Sequence, residues 1–332
     1  MGAIDRQHIA RISYGKDSMK MLQVIKSRGL PLDRITTTDV WATDTIPANL
    51  PPVEEFKHRM DEWIWKNYRI EVEHLCARNA DGSKKTYEQM FYHVPVRRER
   101  ERERESKPGQ SLDSRICGIR GVKLDSNGIP EHRTQGTITG FPPNTGYNYC
   151  QKLKIVRDEN PRIPGADIQL VQEAQNRLRS HPLSDERPTR RKDKNIVEYI
   201  GIAADELKRF GQLNEFKRAP LVEFGIEEEM CGLYCRYAGC LSPTYESSFR
   251  DGCWFCHNQG VAQLRLLRKN YPEYWKLLMK WDLDSPVTFK ADGHTVHDFD
   301  KRFELEDLGL ISADDKVFRW SMLEEELNYR WF

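Results

Sequence analysis

Within the first eighty residues the apolar positions change spacing repeatedly, and this alternation limits the fold more than any other feature of the chain. His8-Ile9-Ala10-Arg11-Ile12 reads as a short buried strand. From about Asp17 to Ser27, Met19, Leu22, Val24 and Ile25 fall at helical spacing, and Gly29 supplies a stop. Arg34 to Trp41 is rich in Thr and includes Val40, which suits a second strand. Pro51-Pro52 opens a helix from Val53 to about Tyr68, with Phe56, Met60, Trp63 and Ile64 on one apolar face. A third strand fits Ile70 to Leu75. Strand, helix, strand, helix, strand in short order predicts parallel βαβ units. The expected class is therefore α/β, with a mostly parallel twisted sheet flanked by helices.

The pattern breaks between about 94 and 140. There Arg97 to Glu105 interleaves five Arg with four Glu, whose charges nearly cancel. It reads as a solvated helix face or a flexible excursion, with a substrate-facing basic strip as the alternative. Regular structure is expected again near Thr137 to Gly140. Helices are expected over Tyr147 to Leu153 and Ile168 to Leu178, and a buried central strand over Asn195 to Ile202. Lys217 to Val222 leads into a helix from about Ile226. The C-terminal part is cysteine-rich and mostly helical, with Trp275, Leu277, Leu278 and Trp281 on its apolar face. The expected division is a 1–230 α/β part carrying the 94–140 insert, and a 231–332 cysteine-rich part.

A formal charge of +1 gives no global attraction to nucleic acid or acidic membranes, so any nucleic-acid contact needs a local patch. No run of eighteen apolar residues is present, so no membrane partner is expected. The N-terminal residues lack a signal-peptide pattern, and the chain is expected to be soluble and cytoplasmic. The even count of eight cysteines could suggest disulfides, but that compartment and the size of the chain weigh against a disulfide framework.

The segment between the first strand and first helix is Ser13-Tyr14-Gly15-Lys16-Asp17-Ser18. A helix N-terminus presents unpaired N–H groups and about half a positive charge, so an anion is stabilised there. Gly15 is expected to allow a tight turn, Ser13 and Ser18 to offer hydroxyls, and Lys16 a point charge. Asp17 is expected to cap the helix or hold Mg²⁺. Position 10 is Ala and position 17 is Asp, so this is not a Walker A loop, and no Gly-x-Gly-x-x-Gly occurs here.

Five of the eight cysteines lie between 231 and 256. Cys253-Trp254-Phe255-Cys256 is a Cys-x-x-Cys knuckle, and Cys231 and Cys235 share a face if helical. Such thiol density suits Zn²⁺ or an iron–sulfur cluster. His257 is a further candidate ligand. His294 and His297 form a weaker metal pair without obvious partners. Cys76 and Cys117 read as core or surface residues.

The loop resembles the Ser-Gly-Gly-Lys-Asp-Ser segment of PP-loop ATP pyrophosphatases and of the phosphoadenosine phosphosulfate (PAPS) reductase family, with Tyr14 in place of Gly. Asp44-Thr45 is similar to that family's Asp-Thr-Gly element. Gly201 to Arg209, including Asp205 and Glu206, is similar to its Gly-Ile-Arg-x-x-Glu-x-x-Arg element, with Ala203 where Arg is common. Ala219-Pro220-Leu221 resembles its Pro-Leu turn. The resemblance covers roughly residues 8–80 and 140–260. It implies an adenine nucleotide alpha-hydrolase-like fold that binds ATP with Mg²⁺. The implied nucleotide contacts are Ser13–Ser18, Asp44, Thr45, Gly201, Asp205 and Glu206, with Lys16, Asp17 and Arg209 as catalytic residues.

Tyr149-Cys150-Gln151-Lys152-Leu153-Lys154 resembles the family's Trp-Cys-x-x-x-Leu-Lys element, whose cysteine joins the later pair. The implied metal ligands are Cys150, Cys235, Cys253 and Cys256, with Cys240 in reserve. The resemblance favours [4Fe–4S], while spacing alone allows Zn²⁺. The implied reaction is cleavage of ATP between the α and β phosphates, adenylating an acceptor, with sulfur transfer as a following step. Nucleic acid is one acceptor class, and a sulfur or electron donor protein is a partner. One alternative is reduction of PAPS or APS, against which the absence of cysteine after Cys256 counts. Another is a nucleotide-binding regulator or complex subunit without turnover.

Overall fold

The computed structural model describes residues 6–79, 81–94, 138–142, 149–154, 196–211, 213, 216–247 and 252–323. The Arg97–Glu105 tract, the helix expected at Ile168–Leu178 and Cys117 lie outside them. In chain order the elements are β1 (Gln7–Ile12), α1 (Lys16–Ser27), β2 (Arg34–Asp39), α2 (Pro51–Tyr68) and β3 (Val72–Cys76). Then come α3 (Tyr87–Phe91), α4 (Cys150–Lys154), β4 (Ile196–Ile200), α5 (Leu207–Phe210), β5 (Lys217–Arg218) and α6 (Pro220–Glu223). The last are α7 (Glu228–Tyr237), α8 (Thr244–Ser247), α9 (Val261–Asn270), α10 (Pro272–Asp284) and α11 (Val296–Asp307). None of these helices is long and apolar enough to cross a membrane.

The described chain gathers into two compact units that interleave along the sequence. One comprises residues 1–38, 56–75 and 156–242, and the other residues 39–55, 76–155 and 243–332. The sequence suggested a single cut near 230. The difference has a physical cause in α7, whose Cys231 and Cys235 are fully buried in the same core as Met19 and Leu22 of α1.

The first unit is an α/β fold around a five-stranded sheet in the order β3-β2-β1-β4-β5. β1 runs parallel to β2 and β4, and β4 parallel to β5; Ile9 sits opposite Arg34, and Arg11 opposite Ile200. Ala10 and Ile12 of β1 pack with Met19, Leu22 and Ile25 of α1 and with Phe56, Met60 and Ile64 of α2. The helical spacing of these residues is what turns their apolar faces inward. The sheet builds outward from β1 through β2 and β3, then reverses through β4 and β5. In open α/β sheets the crevice beyond the strand ends at such a reversal is where ligands bind. Ser13 and Gly201 follow β1 and β4 directly, so both lie at this point.

The second unit is held by an aromatic core. Trp254 and Trp281 stack with centroids 5.6 Å apart and planes 11° apart, and Tyr87 contacts Phe255 at 4.1 Å. Residues 138–140 form no helix or strand, where regular structure was expected to resume. The Thr139 and Gly140 amides instead donate to His93 and Phe91 carbonyls at 2.8 and 2.9 Å. Gly140 sits at φ +67°, and a Cβ there would meet Ser285 Oγ at 2.6 Å.

Candidate functional site

The chain leaves β1 through an exposed Ser13 and turns at Tyr14, which is 1% exposed and has φ +58°. Gly15 then caps α1 in extended conformation (φ −72°, ψ 160°), with no side chain capping the helix. The left-handed residue is therefore Tyr14, where the sequence had assigned the tight turn to Gly15. Ser18 also differs from expectation. Its buried hydroxyl donates to the Gly15 carbonyl at 2.9 Å and accepts from the Ser13 amide at 3.3 Å, which closes the loop on itself. Gly201 packs against this turn. A Cβ there would lie 2.9 Å from the Ser18 backbone nitrogen, so glycine is required by backbone contact.

The charges around the loop form one group. Lys16 Nζ pairs with Glu228 Oε1 and lies 3.5 Å from Asp17 Oδ1. Burial raises the Asp17 pKa; the Lys16 ammonium opposes this, and Glu228 and Glu206 reinforce it. The Glu228 amide donates to Asp205 Oδ1 at 3.2 Å, and the Ala203 amide to Glu206 Oε2 at 3.4 Å. Arg209 Nη1 binds both Glu206 oxygens at 2.7 Å, and its side chain is largely exposed. The structure thus brings Lys16, Asp17 and Glu206 together and ties Arg209 to the last. Glu228 was missed by the sequence reading. Its only signal was three consecutive Glu at the start of a helix, which also reads as a favourable first turn. Asp44 and Thr45 belong to the second unit. There the Asp44 carbonyl accepts from Lys84 Nζ at 3.4 Å, and the Thr45 amide donates to Thr43 Oγ1 at 3.4 Å.

The candidate metal ligands fall into two groups. Cys235 and Cys240 are in the first unit, fully buried with Cys231. The pairing of Cys235 with Cys240 raises the Cys235 pKa and lowers that of Cys240. The Cys235 thiol donates to the Lys16 carbonyl at 3.4 Å. Cys231 is pushed up to about 12 by burial and by the neighbouring Asp17.

Cys150, Cys253 and Cys256 are in the second unit and line one cavity of about 630 Å³, with Leu153, Phe255 and His257 also on its wall. Burial pushes the Cys150 thiol up to about 12, and the nearby Cys253 and Cys256 add to the shift. The knuckle is anchored by its two middle residues. Trp254 donates from its amide to the Ala48 carbonyl at 2.9 Å and from Nε1 to the Pro47 carbonyl at 3.0 Å. The following turn is fixed by Lys290, whose Nζ donates to the His257 carbonyl at 2.7 Å and to the Gln259 carbonyl. Burial lowers the Lys290 pKa. Nothing in Phe289-Lys290-Ala291 marked this role in the sequence.

His257 is buried, its Nδ1 has no hydrogen-bond partner among the described residues, and burial holds its pKa low. His297 pairs with the buried Asp282 at 2.6 Å, and His294 stacks on Trp320 at 3.7 Å, so the two have separate partners. Among the described residues, no three His, Cys, Asp or Glu side chains have the spacing to hold one metal ion. A tetrahedral Zn²⁺ needs sulfurs within roughly 4 Å of each other. Comparison with family models, curated proteins and solved structures gives no match for this chain.

Proposed function

We propose that the chain binds Mg²⁺·ATP at Ser13–Ser18 and activates an acceptor by adenylation, in the manner of the PP-loop enzymes its sequence resembles. The observation that carries this reading is the position of the α1 N-terminus. It follows β1 directly, at the point where the strand order reverses, with the end of β4 packed against it. The helix amides and Lys16 hold the phosphate oxygens. Asp17, Glu206 and Glu228 make the surroundings acidic, so a divalent cation is needed alongside the nucleotide.

In the proposed reaction an acceptor oxygen attacks the α phosphorus. The bond to the α–β bridging oxygen breaks, and pyrophosphate leaves with the electron pair. A sulfur or nitrogen nucleophile then displaces AMP from the adenylated acceptor. Catalysis consists of positioning and charge neutralisation. Nucleic acid is a candidate acceptor, and a sulfur or electron donor protein a candidate partner.

Cys150, Cys253 and Cys256 would supply three of the four ligands of a [4Fe–4S] cluster; Cys235, the fourth that the resemblance implies, is buried in the first unit. Zn²⁺, the alternative, would need these thiols to draw closer together. When bound, a cluster supplies one-electron chemistry tuned by its surroundings. The chain's own part is to keep these thiols on a fixed turn and, through Lys290, to hold a cationic group against that turn. Anaerobically purified protein is expected to show a broad visible band; a colourless, zinc-containing preparation would overturn the cluster.

A second reading has its own support. Lys16 is paired with Glu228 and Arg209 with Glu206, and Ala203 replaces an arginine of the similar element. These features suit a nucleotide-binding regulator. Product analysis separates the readings. Pyrophosphate from Mg²⁺·ATP supports adenylation, and sulfite from PAPS with a thiol donor supports a reductase. Nucleotide binding without either product supports the regulator.

A further inference from the structure

Tyr14 holds the left-handed position of the loop, a conformation that strains a bulky residue. Such strain persists only where surrounding contacts over-determine it, and they do so here. The Tyr14 ring is buried, and its hydroxyl donates to Asp61 Oδ1 on α2. The other oxygen, Asp61 Oδ2, lies 3.1 Å from His74 Nε2 on β3, and the Tyr14 hydroxyl lies 3.3 Å from the same nitrogen. The Tyr14 and His74 rings stack with centroids 6.3 Å apart. Lys57, 5% exposed, places Nζ 5.8 Å from the Tyr14 ring centroid. One side chain of the loop is thus fastened to α2 and β3 by a phenol, a carboxylate and an imidazole.

We propose that Tyr14 is a positioning residue, and that the Tyr14–Asp61–His74 clamp holds the loop ready to receive a phosphate-bearing ligand. Glycine at this position would leave φ free, and the loop would sample several conformations before binding. The clamp removes that freedom in advance. Apparent affinity falls in proportion to the fraction of molecules in the competent state. A loop released for nine-tenths of the time would therefore bind about tenfold more weakly. The proposal rests on the nucleotide reading of Ser13–Ser18 for its ligand, but the clamp can be measured without one.

Two measurements on the full chain test it. The first is amide hydrogen exchange over residues 13–18 in the absence of ligand. The second is calorimetric titration with Mg²⁺·ATP. Both are made on the unaltered protein, Tyr14→Phe, Asp61→Asn and the double variant. Tyr14→Phe keeps the ring and removes only the hydroxyl. Each single variant is expected to exchange the loop amides faster and to bind about tenfold more weakly. The double variant is expected to be no worse than either single one, because the residues act as one unit. Unchanged exchange and affinity in Tyr14→Phe would overturn the clamp. A lower melting temperature with unchanged loop exchange would also overturn it, because the hydroxyl would then serve packing alone. If the unaltered protein bound no nucleotide while Tyr14→Phe still loosened the loop, the clamp would stand and the nucleotide reading would fall.

Discussion

The loop at residues 13–18 and the knuckle at residues 253–256 are both short turns carrying the residues proposed for chemistry, yet different forces hold them. The loop is fixed by hydrogen bonds and charge: Ser18 across its own backbone, Tyr14 to Asp61, and Lys16 to Glu228. The knuckle is fixed by aromatic packing, with Trp254 fully buried against Tyr274 and Trp281, and by neutral hydrogen bonds from Trp254 to the Ala48 and Pro47 carbonyls. Hydrogen bonds to charged groups are sensitive to pH and to competing ions, whereas aromatic packing is not. The loop is therefore suited to exchange partners with an incoming anion. The knuckle is suited to keep its thiols in place.

The sharpest way to break this contrast is at the knuckle. Trp254→Ala should cost about 3–5 kcal/mol of stability, measured by urea denaturation, because a fully buried indole leaves a cavity. A loss below about 1 kcal/mol would mean that packing does not hold the knuckle. Next is Gly201→Ala, which drives a methyl group into the Ser18 backbone. It should cost about 1–3 kcal/mol and weaken nucleotide binding with it. A variant of unchanged stability and affinity would show that the β4 end does not brace the loop.

The pH dependence of the loop sharpens the comparison further. Burial raises the Asp17 pKa above its ordinary value of 3.8, so the folded chain keeps that proton to higher pH than the unfolded chain. In the window between those two values the native state binds more protons, and stability falls as pH rises. Asp17→Asn should remove this slope from a series of urea melts starting near pH 4. An unchanged slope would place its origin elsewhere. The smallest effect is expected from Glu228→Gln. Its carboxylate is half exposed and, if Lys16 receives phosphate as proposed, competes for it, so affinity for Mg²⁺·ATP should rise by up to about fivefold. A fall in affinity would mean that Glu228 assists the ligand.

The alternation of strand and helix in the first 76 residues was legible because β1, α1, β2, α2 and β3 are fixed by local apolar spacing. The loop was legible as a position, because any chain must turn between a parallel strand and its helix. Its internal geometry was not. Gly15 looked like the turning residue, yet Tyr14 takes the left-handed conformation, held by Asp61 and His74 far along the chain. Pairings across such separations leave no periodic trace. The same limit hid Glu228 and Lys290, whose partners Lys16 and His257 lie 212 and 33 residues away. The cysteines were legible as a cluster in sequence, but residues 231–242 fold with the sheet while 253 and 256 fold with Cys150. Spacing along the chain could not reveal that change of unit between Cys240 and Cys253.

The central claim is that the start of α1 grips phosphate. Its most direct test is calorimetric titration of the unaltered protein and Lys16→Ala with Mg²⁺·ATP, with melting curves of both. One saturable site is expected, with binding at least about tenfold weaker in the variant and little change in melting temperature. Equal affinity in the two proteins, or no binding in either, would contradict it.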